Sequence, residues 1–273
     1  MTARRTVLAA LDPGPAARAV LETGRGIAEL MGAELEAVHA GRQHSETLQA
    51  MAAEHDLAVR LLPPPTEDAL LGAVGASDVI AAVVGARATP GGRRPTGHTA
   101  LAVLQRTSKP TVVVPPDAVG VAPRPFRRLL VPLEGTEESS RPVVDSLGPL
   151  IVTQVELLVL HVFTPNTAPR VLDRPRRDLE LLGEEFRTRH SPYASRVEWR
   201  TGPIGARVIE VSDQHGTDLV VLSWSQDSSV GHATVVRDVL ATSTVPVLLL
   251  PVGRAPDRWA ERAEVPPGDD QRP

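Results

Sequence analysis

Cysteine is absent from this 273-residue chain, and aromatic residues make up only 3% of it. The first absence excludes disulfides, thiolate metal sites and cysteine nucleophiles, and it is compatible with a reducing compartment. The second means that hydrophobic cores have to be built from aliphatic side chains such as Leu, Val and Ala.

Long apolar runs and blocks of like charge are also missing. No apolar run approaches the ~18 residues of a membrane span, and the first one, Val7–Leu11, is too short for the apolar region of a signal peptide. A formal net charge of -4 provides no general attraction to nucleic-acid phosphates or anionic membranes. We therefore expect a cytoplasmic protein with no nucleic-acid partner and no membrane partner.

One pattern, a small-residue turn followed by an amphipathic helix and an apolar strand, occurs twice. The copies cover residues 97–115 and 233–251 and align without a gap, so that Pro110 matches Pro246 and Pro115 matches Pro251. Proline resists continuing either a helix or a strand, and the pattern therefore predicts a helix that leads into a buried strand. The repeat predicts two homologous halves, as the chain length also favours.

Apolar runs and helical patterns alternate along both halves, which favours parallel sheets covered by helices. Predicted strands are Val7–Leu11, Leu35–His39, Leu57–Leu62, Val79–Val84, Thr111–Val114, Leu129–Leu133, Val155–Val162, Arg196–Trp199, Asp218–Leu222 and Val247–Leu250. Predicted helices include Glu46–His55, Thr66–Val74, Glu138–Leu150, a charged one over Arg170–His190, and Pro203–Gln214. We expect an α/β protein with two tandem open five-stranded, mostly parallel sheets flanked by helices.

The domain boundaries follow from composition. We expect a first domain at residues 5–115, a proline-rich linker at 116–125, a second domain at 126–251 and a disordered tail at 252–273.

Five motifs follow one another in the first half. They are Leu11-Asp12, Val38-His39-Ala40, Val84-Gly85, Gly97-His98-Thr99 and Pro110-Thr111-Val112-Val113-Val114. In this order they resemble a domain of the universal stress protein family, and the resemblance covers residues 5–115 and 126–251. It implies an adenine-nucleotide α-hydrolase-like fold and no enzymatic activity. It also implies an internal pseudo-dimer in which Val112–Val114 pairs with Val247–Leu250, since exposed edge strands need covering.

Some members of that family bind ATP through a loop that resembles Gly-x2-Gly-x9-Gly-Ser/Thr. Glycines there let backbone amides approach phosphates, and a hydroxyl at a helix N-terminus completes the anion site. The first half keeps part of this pattern, with Ala88 in place of the second glycine and His98 in the hydroxyl position. The resemblance assigns a possible ATP site to the first half, with candidate residues Asp12, Val38, Gly85, Arg93, Gly97 and Thr99.

The second half departs further from the loop pattern. Ser223 replaces the first glycine, Ala233 replaces the glycine before Thr234, and Glu134 stands in the place of Asp12. We expect this second site to be degenerate.

Several candidates also have plainer interpretations. Asp12 could cap the following helix, and Arg93 could simply keep a loop soluble. His39 and His161 end matching strands, where a lone histidine more often packs than reacts. Near His98 and His232 no ligand stands at metal-binding spacing, so we expect no metal site.

Three functions remain open. The first is a non-enzymatic regulator of stress or signalling that responds to an adenine nucleotide. The second is a ligand-free scaffold with both sites degenerate, in which the Arg170–His190 helix contacts protein partners. The third is an enzyme of the wider adenine-binding α/β group, although no Gly-x-Ser-x-Gly or HExxH motif is present. The identity of protein partners and the association of two chains into a homodimer stay open.

Overall fold

The computed structural model describes residues 4–86, 98–116, 118, 125–135, 137–148, 155–163, 176–190, 194–225 and 234–252. Strands in these residues are β1 (Thr6–Ala10), β2 (Glu34–Ala40), β3 (Val59–Leu62), β4 (Val79–Gly85), β5 (Thr111–Val114), β6 (Arg128–Pro132), β7 (Glu156–Phe163), β8 (Arg196–Thr201), β9 (Leu219–Trp224) and β10 (Val247–Pro251). Helices in them are α1 (Ala17–Met31), α2 (Glu46–Ala53), α3 (Thr66–Val74), α4 (His98–Arg106), α5 (Glu137–Leu147), α6 (Arg176–His190), α7 (Ile204–His215) and α8 (Thr234–Thr242).

All ten strands belong to one sheet, in the order β3-β2-β1-β4-β5-β10-β9-β6-β7-β8. Neighbouring strands within each half are parallel, whereas β5 and β10 are antiparallel and place Val112 opposite Leu248 and Val113 opposite Val247. The predicted pairing of the two fifth strands is therefore confirmed. This pair joins the two five-stranded halves into one ten-stranded sheet, which is mostly parallel as expected.

Successive strand residues point to opposite sides of the sheet, and both sides carry apolar residues that helices cover. Val7 and Ala9 belong to a core with α1, α2, α5 and α6, whereas Leu8 belongs to a core with α3 and α4. A further core of α4, α7 and α8 lies on the same side as that of Leu8 and contains residues of both halves. The predicted α/β architecture with aliphatic cores is confirmed.

Local sequence signals explain several helix ends. Gly32 ends α1 in the left-handed conformation at φ 58°, and its amide donates to carbonyls of the last turn. Gly216 ends α7 in the same way. Ser45 caps α2 by accepting a hydrogen bond from the amide of Leu48 at 3.4 Å.

Element bounds differ from the predictions in a few places. Helix α5 ends at Leu147 rather than at Leu150, and β9 runs on to Trp224 instead of stopping at Leu222. The extra strand length comes from Ser223 and Trp224, which pair with Leu250 and Pro251 of β10. Of the predicted Arg170–His190 helix, residues 170–175 lie outside the described residues, and α6 accounts for the rest.

The start of the second half packs onto the first. Phe126 is buried, and its ring lies so close to α1 that a Cβ on Gly26 would be 2.8 Å from Phe126 Cε2. Most of the expected linker, and the expected disordered tail from residue 253 onward, lie outside the described residues.

Candidate functional site

Three of the sequence-predicted residues meet at one edge of the sheet. Strand β1 lies between β2 and β4, with Ala10 opposite both Val38 and Val84. The chain order reverses between β1 and β4, and ligands of open parallel sheets bind outside the carboxyl ends of strands at such a reversal. Asp12, Val38 and Gly85 stand at these strand ends, and we call them the first-half site.

The side chain of Asp12 is exposed at this edge. Helix α1 has Ala16 at its N-cap position and no side-chain cap. The plainer interpretation of Asp12 as a helix cap is therefore wrong. Its carboxylate is placed where it could accept hydrogen bonds from a ligand.

Val38 and Gly85 take part in the fold as well as in the first-half site. The side chain of Val38 is fully buried, and its carbonyl accepts a hydrogen bond from the amide of Leu11 at 2.8 Å. Only the backbone of Val38 is thus placed to meet a ligand. A Cβ on Gly85 would lie 3.2 Å from Val20 Cγ2 of α1. Close packing therefore explains glycine at this position, and so would a role in a phosphate loop.

The remaining candidates belong to the loop after β4 and to the start of α4. Arg93 and Gly97 lie outside the described residues. Thr99 stands half-buried in the first turn of α4, where backbone amides and the helix dipole favour an anion.

In both halves a histidine side chain is hydrogen-bonded to the backbone where the first strand ends, and we call this bond the histidine latch. His39 Nδ1 lies 2.9 Å from the carbonyl oxygen of Leu11, and His161 Nδ1 lies 3.0 Å from that of Leu133. A carbonyl oxygen only accepts, so Nδ1 carries the proton in each ring. The packing role favoured for both histidines is consistent with these bonds, which hold the backbone just before Asp12 and Glu134.

The second half fills the equivalent edge with rings, a feature that sequence reasoning missed. We call His161, Phe163, Phe186, His190 and Trp199 the aromatic cluster. His161 lies edge-on to Phe163 and Trp199 with ring centroids 4.7 and 5.7 Å apart, and Phe186 is 5.3 Å from both His161 and Trp199. His190 is 4.7 Å from Phe186.

Strand register relates the aromatic cluster to the first half. Leu61 is the partner of His39 across β2 and β3, as Trp199 is the partner of His161 across β7 and β8. Two residues after His39 comes Gly41, whereas two residues after His161 comes Phe163. The signal available in the sequence was the concentration of rings in the second half at positions that hold Leu and Gly in the first.

The aromatic cluster also changes the electrostatics of His161. Burial among the rings lowers the pKa of His161, and the nearby His190 lowers it further, while the hydrogen bond to Leu133 opposes both effects. A Cβ on Gly135 would lie 2.9 Å from both His161 and Phe186. Side chains of the aromatic cluster therefore leave no room for a larger residue at Gly135.

No group of three or more His, Asp or Glu side chains in the described segments is arranged to hold a metal ion. Helices in the same segments are also too short or too polar to cross a bilayer.

Comparison with known proteins identifies the family. Residues 125–251 match the model of the universal stress protein family. These residues form a universal stress protein domain, and the family recognised from the motifs is confirmed. No curated protein sequence matches the chain significantly.

Several solved structures match across both halves. A functionally unknown protein from Pseudomonas aeruginosa is 13% identical, with a TM-score of 0.66 over 91% of this chain and 93% of its own. A universal stress protein from Archaeoglobus fulgidus is 14% identical, with a TM-score of 0.62 over 91% of this chain and 98% of its own. At these identities the likeness establishes the fold of the tandem chain, which confirms the predicted fold class.

Proposed function

We propose that this chain is a non-enzymatic tandem universal stress protein of the cytoplasm that responds to an adenine nucleotide bound in its first half. Asp12 would accept hydrogen bonds from the adenine or ribose, the backbone near Val38 would border the base, and Gly85, Gly97 and Thr99 would admit the phosphates. Arg93 would supply positive charge. Domains at residues 5–115 and 126–251, joined by the linker at 116–125, are part of this proposal.

The observation that carries the proposal is the contrast between the two edges. Asp12 is exposed and caps no helix, and in the first half Gly41 follows His39 by two residues and Leu61 pairs with His39. In the second half the matching positions hold Phe163 and Trp199, and Phe186 packs against Trp199 and close to Gly135. A planar base needs an apolar space beside a few polar groups, and in the first half Gly41 and Leu61 stand where the second half has the larger rings of Phe163 and Trp199.

Calorimetric titration of nucleotide-stripped protein with MgATP tests the proposal. Asp12→Ala should weaken binding about tenfold or more, since a hydrogen bond to a charged group contributes roughly 1.5–3 kcal/mol. Glu134→Ala is the matched control, because Glu134 is the exposed acidic residue at the same place in the second half. Gly97→Asp should abolish binding by setting a carboxylate against the phosphates.

Equal MgATP affinities of the Asp12→Ala and Glu134→Ala proteins would show that the nucleotide site is not at Asp12 in the first half. Absence of binding by the unmodified protein at millimolar MgATP would instead favour the second candidate, a ligand-free scaffold. Gly85 supports that candidate, because close packing against Val20 is enough to explain why this residue is glycine. Release of pyrophosphate from ATP would contradict the non-enzymatic part of the proposal.

A further inference from the structure

A buried hydrogen bond joins the two halves on one side of the sheet. Trp224 Nε1 donates to the carbonyl oxygen of Leu104 at 2.9 Å, and Trp224 is only 5% exposed. Leu104 belongs to α4 of the first half and Trp224 ends β9 of the second. Carbonyls in the last turn of a helix need donors from outside the helix, and Trp224 is such a donor for α4.

The bond breaks the symmetry of the two halves. Gly85 pairs with Val114 and Ser223 with Leu250, so that Ala86 and Trp224, one residue further on, occupy equivalent places. Both are buried in the core that contains α4 and α8. Ala86 has no side-chain donor. Of these two equivalent residues, only Trp224 can therefore donate a hydrogen bond to the end of a helix in the other half.

The position of Trp224 connects it to both phosphate-loop regions. It directly follows Ser223, which replaces the first loop glycine of the second half. Through Leu104 it holds the last turn of α4, and the first turn of the same helix contains Thr99. A nine-residue helix is only about 14 Å long, so its two ends are joined by little more than two turns.

We propose that Trp224 is a positioning residue of the first half: it fixes α4 from the second half and thereby sets the position of Thr99 at the nucleotide site. The loop start of the second half acts as a support for the site of its neighbour. Fixing of α4 stands on the geometry alone, whereas the effect on nucleotide binding rests on the proposed function.

The test uses the full chain with Trp224→Phe, which removes the N–H donor and keeps most of the ring. Trp199→Phe is the matched control, since it makes the same exchange at the far edge of the second half. Amide hydrogen exchange over residues 98–106 should speed up about fivefold in Trp224→Phe, and MgATP affinity should fall about fivefold, the range expected for one lost hydrogen bond. Neither quantity should change in Trp199→Phe.

A spectroscopic reading of the unmodified protein complements the variants. The indole N–H resonance of Trp224 should exchange slowly with solvent and should shift when MgATP is added, while that of Trp199 should not shift. A purely structural role for Trp224 would leave its resonance unmoved by nucleotide.

Each outcome decides one part of the inference. Unchanged exchange in α4 of Trp224→Phe would overturn the fixing of α4. Equal MgATP affinities of Trp224→Phe and the unmodified protein would overturn the positioning role. Failure of the unmodified protein to bind MgATP would overturn both the proposed function and the nucleotide part, while the exchange data would still decide whether Trp224 fixes α4.

Discussion

His39 donates a hydrogen bond from Nδ1 to the carbonyl oxygen of Leu11 at 2.9 Å, across two neighbouring strands of the first half. The amide of Leu11 in turn donates to the carbonyl of Val38. The second half repeats both bonds, with His161 on Leu133 and the amide of Leu133 on Leu160. A pair of bonds thus fixes the backbone where each first strand leaves the sheet.

Replacing His39 should destabilise the fold through the carbonyl that loses its donor. His39→Leu should lower the free energy of unfolding by about 1 kcal/mol, the net contribution of a typical intramolecular hydrogen bond. Urea unfolding followed by circular dichroism measures the change. His44→Leu is the control, because His44 is exposed and makes only a 3.5 Å contact with Gln49. Equal effects of the two substitutions would remove the latch as a source of stability.

Gly135 faces two constraints, which separate variants can distinguish. Its φ is +79°, and an added Cβ would lie 2.9 Å from His161 and Phe186. Gly216 has a similar φ of +57° with nothing within 4 Å of an added Cβ. Gly216→Ala should cost about 1 kcal/mol of stability from backbone strain alone, and Gly135→Ala should cost roughly 1–3 kcal/mol more because the cluster is overpacked. Unfolding midpoints in urea at constant m-value compare the two.

An opposite effect is expected within α6. Gly183 lies inside this helix, its φ is not positive, and an added Cβ would have no neighbour within 4 Å. Gly183→Ala should therefore raise the free energy of unfolding by roughly 0.5–1 kcal/mol, through helix propensity. A thermal unfolding scan measures the gain. A lower unfolding temperature would mean that α6 packs more tightly around this residue than the structure indicates.

Repeats and periodicity predicted most of the architecture in advance. The gapless match of Pro110 to Pro246 and of Pro115 to Pro251 located the two fifth strands, and their apolar composition predicted that they would be covered. Helix α3 coincides with its predicted bounds, Thr66–Val74. Such features were predictable because proline, glycine and apolar spacing act locally.

Contacts between distant residues were not predictable in the same way. Nothing near Trp224 in the sequence indicates that its indole meets Leu104, because that bond depends on how two halves pack across the sheet. The aromatic cluster likewise joins residues of β7, α6 and β8. For the candidate site, the positions of Asp12 and Gly85 followed from strand order, whereas the packing of Gly85 against Val20 required the fold.

Phe126 offers a test of how strongly the two halves hold together. Its ring is buried against Gly26 of α1, although it is separated from that helix by about a hundred residues of chain. Phe126→Ala should cost about 3–5 kcal/mol of stability, as large-to-small substitutions in a core do. Arg127→Ala is the neighbouring control, since the Arg127 side chain is exposed and its bond to Asp218 uses only the backbone amide. A cost below 1 kcal/mol for Phe126→Ala would show that this contact contributes little.

Acidification should weaken the second half through His161. Burial in the aromatic cluster is the main cause that lowers the pKa of His161 in the folded state, with His190 adding to it. The unfolded chain, with a pKa near 6.5, therefore binds a proton before the folded chain does. Above that pH both forms are neutral and His161 adds no pH dependence, whereas below it the unfolded state gains protonation free energy and stability falls.

Urea unfolding at pH 7.5 and at pH 5.5 measures this loss. The unmodified protein should lose more stability between the two pH values than His161→Gln, which cannot take up a proton at that position. His44→Gln should behave like the unmodified protein, because His44 is exposed and lies outside the aromatic cluster. If His161→Gln kept the full pH dependence, the loss would have to arise from other carboxyl or imidazole groups, and His161 would have no part in the acid response of the fold.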